Sequence, residues 1–184
     1  MSSVVISGNT SGAITLSAPD VSGTNTATLP AATGTVMVSG NMPAFSAYKG
    51  TAQTVTTATF TKVTLNTEEF DTNNNFDSTT NYRFTPTVAG YYQINGEIAF
   101  TSTVSVSRAL IIIYKNGSAY KYGCDLNATT AFSSIRNMVS SLIYFNGSTD
   151  YVELYGYVEG AGTLSYSGTT TVDNYFNGSM VRAA

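Results

Sequence analysis

Histidine is absent from the 184 residues, and with it go the usual general base, the His-bearing catalytic triads and the commonest zinc ligand. Cysteine is nearly absent. Cys124 stands alone, so no intrachain disulfide can form, and its place on a strand beside Tyr122 reads as a small buried filler rather than a reactive thiol. Charge is scarce as well: charged side chains are 10% of the chain, against about a quarter in typical soluble domains. The basic residues are scattered singly between Lys49 and Arg182 within a net charge of −3. They form no stripe to neutralise phosphates, which argues against nucleic-acid binding. The longest aliphatic run, Leu110 to Ile113, is too short to cross a bilayer, and Met1-Ser-Ser-Val4 lacks the charged start and apolar core of a secretory signal. Neither membrane insertion nor a leader is expected.

Carboxylates are what remains for catalysis. Glu68, Glu69, Asp71 and Asp77 sit in a Thr/Asn-rich stretch that reads as a solvated loop, whereas a glycosidase needs two carboxylates converging in a cleft. Asp71 and Asp77, with Asn73, Asn74 and Asn75 between them, could offer oxygens to calcium, but the ligand order and the glycine of a calcium loop are missing. The expectation is a non-enzyme with no catalytic residues, no cofactor and no metal.

Tyr, Thr, Ser, Asn and Gly fill the polar positions instead, a composition suited to strands and turns. It changes near residue 42. Residues 1–48 hold a single charged side chain, Asp20, and short alternating apolar pairs at Val4/Ile6, Ile14/Leu16 and Val36/Val38. Gly8, Gly12, Gly23, Gly34, Gly40, Pro19 and Pro30 lie among them and interrupt any long strand. Such a segment cannot build its own core. The predicted organisation is an extended, β-rich N-terminal anchoring arm over residues 1–42, with Val4, Ile6, Ile14, Leu16 and Leu29 as its anchors, and a head domain over residues 43–184.

In the head, period-two alternation dominates. Between Val88 and Phe100 the positions Tyr92, Ile94, Ile98 and Phe100 form one apolar face, and Gln93, Asn95 and Glu97 fall on the other. Leu110-Ile-Ile-Ile-Tyr114 is apolar on both faces, which implies a strand covered on both sides, a partner subunit being one such cover. Lys115-Asn-Gly-Ser118 is a two-residue hairpin signal, and Asn146-Gly147 divides Val139–Phe145 from Tyr151–Val158 in a similar way. Many short strands with no helical pattern predict an all-β, antiparallel jelly-roll β-sandwich.

Phe84-Thr-Pro86-Thr-Val-Ala-Gly90-Tyr-Tyr92-Gln-Ile94 resembles the signature of the complement globular-head domains, a branch of the tumour necrosis factor-like jelly rolls. Phe70-Asp71 and Phe76 resemble that family's preceding strand and loop, Asp150-Tyr-Val-Glu-Leu154 its penultimate strands, and Tyr175-Phe176-Asn-Gly178-Ser-Met180-Val181 its closing strand. The proline stands two residues after Phe84 instead of the family's three. The resemblance covers about residues 43–184 and implies a trimer that does binding or structural work. The arm, Ile14-Thr-Leu-Ser-Ala-Pro19 and Gly23 to Val36, is similar to segments of tailed-phage fibre and decoration proteins that precede a knob or receptor-binding domain.

In Tyr151-Val-Glu-Leu-Tyr-Gly-Tyr-Val158 the aliphatic residues alternate with Tyr151, Tyr155 and Tyr157. If Val152, Leu154 and Val158 fill the sandwich, the three tyrosines are left outside as a candidate trimer interface. Together these readings predict a homotrimeric virion-surface protein, a capsid decoration or cement protein or short head fibre, bound through its arm to capsid or tail proteins. The alternative is a tail-fibre or tail-tip adhesin, in which loops such as Thr72–Thr80 and Leu126–Ser134 recognise a host-surface glycan or protein.

Overall fold

The computed structural model describes residues 3–17, 19–21, 23–27, 31, 33–34, 36–38, 40, 42–168 and 173–184. Leu29 and Pro30 lie outside the described residues. The chain forms two compact units, Met1–Gly34 and Thr35–Ala184.

The first unit is a hairpin of β1 (Ser3–Ser7) and β2 (Ala13–Ser17). The Gly8 N–H donates to the Gly12 carbonyl at 2.9 Å, and Gly12, at φ 76°, takes the left-handed conformation that closes the turn. Val4 pairs with Leu16 and Ile6 with Ile14. Period two therefore gathers these four aliphatic side chains on one face, where each is between 56 and 68% exposed.

The second unit is built around β9 (Gly90–Lys115), which turns at Asn116-Gly117 into β10 (Ser118–Phe145). Both turn residues have positive φ, the geometry that Asn-Gly supplies in a two-residue hairpin. β10 follows one edge of β9 throughout. The other edge takes β13 (Asn174–Ala183), β12 (Leu164–Tyr166) and β11 (Val152–Ala161) in succession. β13 carries β3 (Ala44–Tyr48) and then β6 (Thr67–Asp71), and β12 carries β4 (Gln53–Val55). β11 carries β5 (Thr61–Lys62) and β8 (Arg83–Phe84), with β7 (Phe76–Asp77) beyond β8. All these pairings are antiparallel.

One residue lets β9 serve both halves. Arg108 pairs with Glu159 and Val106 with Gly160, so Ser107 is the extra residue of a β-bulge, and inward-facing parity flips across it. Tyr92, Ile94, Ile98, Phe100 and Val106 enter the core before it, and Ala109, Ile111 and Ile113 after it. The alternation read between Val88 and Phe100 is realised, with the inward side chains fully buried. Leu110 and Ile112 are also buried. They lie on the outward face, paired with Tyr157 and Tyr155 of β11, so both faces of this run are covered within a single chain.

The core is aromatic at one end. Phe45 stacks on Phe84 and Phe76 with centroids 4.1 and 5.2 Å apart, and Phe176 meets Phe45 edge-on. Tyr92 and Phe145 meet Phe84 edge-on. The motif residues acquire physical reasons here. Gly178 lies in register between Ile94 and Phe45, where a Cβ would come within 2.5 Å of the Ile94 Cδ1. At Gly90 a Cβ would stand 2.4 Å from the Arg182 carbonyl oxygen. The buried Tyr92 phenol donates to the Val88 carbonyl at 2.7 Å, Pro86 is buried in the turn before it, and Met180 closes the cluster beside Phe176.

Three expectations are corrected. Leu126–Ser134 is not a loop but part of β10, with Leu126 paired to Ala109 and Phe132 to Val106 across a register shift. Leu126, Asn127, Phe132 and Ser134 pair with the neighbouring strand, although Asn, Thr and Ser dominate the segment. Cys124 is exposed rather than buried, because neither of its strand neighbours in period, Tyr122 and Leu126, is an inward core residue. Glu68, Glu69 and Asp71 belong to strand β6 rather than to a loop.

The buried Phe84 ring meets Phe45, Tyr92 and Phe145, so Phe84→Ala is expected to lower unfolding free energy by about 3–5 kcal/mol. Gly178→Ala should cost about 1–3 kcal/mol by overpacking. Urea unfolding followed by far-ultraviolet circular dichroism measures both, and a Phe84→Ala loss under about 1 kcal/mol would contradict the cluster's role.

Candidate functional site

Tyr151, Tyr155 and Tyr157 share the outward face of β11, opposite the buried Val152, Leu154 and Val158. Each is half-buried and each has a partner in its own chain. The Arg83 guanidinium lies 4.2 Å over the Tyr151 ring, and Tyr155 stacks on Tyr114 with centroids 3.9 Å apart. Phe60 packs 4.9 Å from Tyr157, with Arg108 at 5.3 Å. Between the tyrosines the nearly buried Glu153 carboxylate meets Lys62 Nζ at 2.5 Å. Burial pushes the Tyr155 phenol up to about 12, so it stays neutral across the physiological range. The face is an aromatic layer partly covered by its own chain.

A different surface is open. On the outward side of β9 before the bulge, Tyr91 pairs with Tyr144, Gln93 with Leu142, Asn95 with Ser140 and Glu97 with Met138. Leu142 and Met138 are 54 and 58% exposed, Tyr91 and Tyr144 about two-fifths, and Val181 at the bulge of β13 is exposed too. The Tyr91 and Tyr144 rings meet at 5.4 Å. A polar row crosses the middle of the face. Gln93 Nε2 donates to Ser140 Oγ at 2.8 Å, Ser140 donates to Asn95 Oδ1 at 2.8 Å, and Asn95 Nδ2 donates to Asn177 Oδ1 at 3.0 Å. At its far end Arg136 bridges Asp173 at 2.5 Å and Glu97 at 3.5 Å, and burial pushes the Glu97 carboxyl up.

The interface tyrosines read from sequence and this open face are thus distinct surfaces. The signal for the second was present in Met138-Val-Ser-Ser-Leu-Ile-Tyr-Phe145, where both parities are apolar. Val139, Ile143 and Phe145 are buried, and Met138, Leu142 and Tyr144 are not.

The acidic stretch is organised by its own hydrogen bonds. Asp77 Oδ1 accepts from the Thr79 and Thr80 N–H groups, and Oδ2 from Asn81. These donors, Thr80 first, hold its carboxyl well below the ordinary range. Asp71 accepts from the N–H groups of Asn73 and Phe76. Their oxygens are committed to loop backbone, which leaves the asparagine-rich segment without a convergent ligand set. Among the described residues no group of three or more Cys, Asp or Glu side chains stands close enough to hold a metal.

No protein-family model and no curated protein matches the sequence. Solved structures do match the fold. The globular domain of the zebrafish complement 1qA protein superposes with a TM-score of 0.55 at 19% identity, covering 77% of this chain and 99% of that one. The Eiger tumour necrosis factor of S. frugiperda gives 0.56 at 8% identity, over 78 and 93%. The PRD1 vertex protein P5 gives 0.52 at 14% identity, over 77 and 96%. With its two-sided β9, its aromatic cluster and its glycine-spaced closing strand, this chain has the jelly-roll fold of complement globular-head domains and tumour necrosis factor-like proteins.

Proposed function

We propose that the protein is a non-enzymatic structural component of a tailed-phage particle, a homotrimer whose jelly-roll heads sit on the virion surface as a capsid decoration or cement protein, held there by the N-terminal arm. The observation that carries this reading is the hairpin of β1 and β2, which exposes Val4, Ile6, Ile14 and Leu16 on one face in a segment with a single charge. Such a surface is costly in water, and it suits a partner offering an apolar groove and an unpaired strand edge. That a vertex protein, that of PRD1, shares the fold supports a place on a virus particle. Three arms per trimer would turn a weak contact into firm attachment by raising effective concentration.

The subunit contact is assigned to the open face of β9, β10 and β13. Its rim of Tyr91, Leu142, Tyr144 and Val181 is an apolar surface the head leaves exposed, and its Asn, Gln and Ser row fixes how copies register. The tyrosine face of β11 is already partly covered within each subunit.

Leu142→Asp should convert the trimer to monomers at micromolar concentration, because an unpaired carboxylate in an apolar contact costs about 3 kcal/mol or more at each subunit. Light scattering measures the mass, and an unmutated protein that is monomeric at that concentration would remove the trimer from the account. Tyr155→Asp tests the other surface, since dissociation by this variant with the melting temperature unchanged would move the contact there.

For attachment, deletion of residues 1–34 is expected to leave a soluble trimeric head that binds at least about tenfold less to particles lacking the protein, by loss of all three arms at once. Full-length and truncated proteins are added to such particles and sedimented. Equal co-sedimentation would place the attachment surface on the head.

A further inference from the structure

Beside the tyrosine face the head has a cleft of about 560 Å³, within the size range of small-ligand sites. Its walls come from β6, the loop after it, β7 and β8, and it is lined by Glu68, Asn74, Asp77, Arg83 and Thr85 among others.

The walls divide into groups that hold the cleft and groups that are free. Asp77 is consumed by Thr79, Thr80 and Asn81, and the buried Asn75 carboxamide accepts from the Thr87 N–H and donates to the Asn73 carbonyl. These bonds fix the loop. Among the described residues, by contrast, the Glu68 carboxylate and the Asn74 carboxamide make no hydrogen bond or ion pair, and Arg83 makes only its stack on Tyr151. That stack holds the guanidinium flat while leaving its N–H edge available.

We propose that this cleft binds a neutral oligosaccharide, recognised by Glu68, Asn74 and Arg83. Two carboxylates, Glu68 and Asp77, stand against one guanidinium, Arg83; one net negative charge disfavours a phosphate and is too little to hold a polycation, and the hydroxyl and amide lining does not suit an apolar ligand. A vicinal pair of sugar hydroxyls donates to Glu68 while accepting from Arg83, and Asn74 can do either. The inference is independent of the arm, since the cleft lies entirely in the second unit.

The test uses full-length protein, labelled and applied to an array of immobilised neutral, sialylated and sulfated oligosaccharides. Retention on at least one neutral oligosaccharide is expected, with the affinity for that oligosaccharide, free in solution, measured by calorimetry. Glu68→Gln and Arg83→Met should each weaken it by about tenfold or more through loss of a charged hydrogen bond. Asn74→Gly removes the carboxamide while preserving the positive φ of 53° at this position, and should weaken it less, by about fivefold. Melting temperature and light scattering show whether each variant keeps its fold and assembly. If Arg83→Met fails to fold, the other two variants decide. No retention on any neutral oligosaccharide, retention on anionic ones alone, or unchanged affinity in folded variants would each overturn the proposal.

Discussion

β9 exchanges backbone hydrogen bonds with β10 along one edge and with β13, β12 and β11 in turn along the other, and a strand held this way has no freedom to slide. A slip of one residue would turn every inward side chain outward. The Ser107 bulge therefore carries much of the specification. It lets Tyr92, Ile94 and Phe100 fill one end of the core and Ile111 and Ile113 the other, without the strand having to end between them. The aromatic cluster of Phe45, Phe76, Phe84 and Phe176 then draws the flanking strands onto that frame, and Gly178 makes room for it.

Much of this frame was legible in the sequence because short-range rules act strongly on it. Alternation between Val88 and Phe100 predicts the buried set correctly, and Asn116-Gly117 has the positive-φ turn that its composition demands. The Phe84, Gly90, Tyr92 and Gly178 pattern pointed to the fold through residues whose spacing is dictated by packing. Other features depend on contacts the sequence does not display. Leu126–Ser134 has the composition of a loop, yet Leu126, Asn127, Phe132 and Ser134 pair with β9. Cys124 is small enough to be buried, but it falls outside the core register. Alternation shows that Tyr151, Tyr155 and Tyr157 face outward, and it cannot show that Arg83, Tyr114 and Phe60 cover them.

The scarcity of charge takes on a consistent meaning. In the head it follows from surfaces finished with Asn, Thr, Ser and Tyr, which hydrogen-bond to one another in rows such as Gln93, Asn95, Ser140 and Asn177. Some of the few ion pairs sit between strands, as Lys62 with Glu153 and Arg108 with Asp125 do. In the arm, the same scarcity leaves aliphatic side chains, Val4, Val5, Ile6, Ile14 and Leu16 among them, facing water with no core of their own. Under the proposed function, what covers that surface is a protein of the virus particle.

Amide hydrogen exchange, compared between the free protein and the protein bound to virus particles, reads the two surfaces separately in one experiment. The account predicts that amides of Val4–Ile6 and Ala13–Leu16 exchange rapidly in the free trimer and become strongly protected on the particle, while those of β9 and β10 are protected in both states. Protection that appears only in the head on binding, with the hairpin exchanging equally fast in both states, would contradict it.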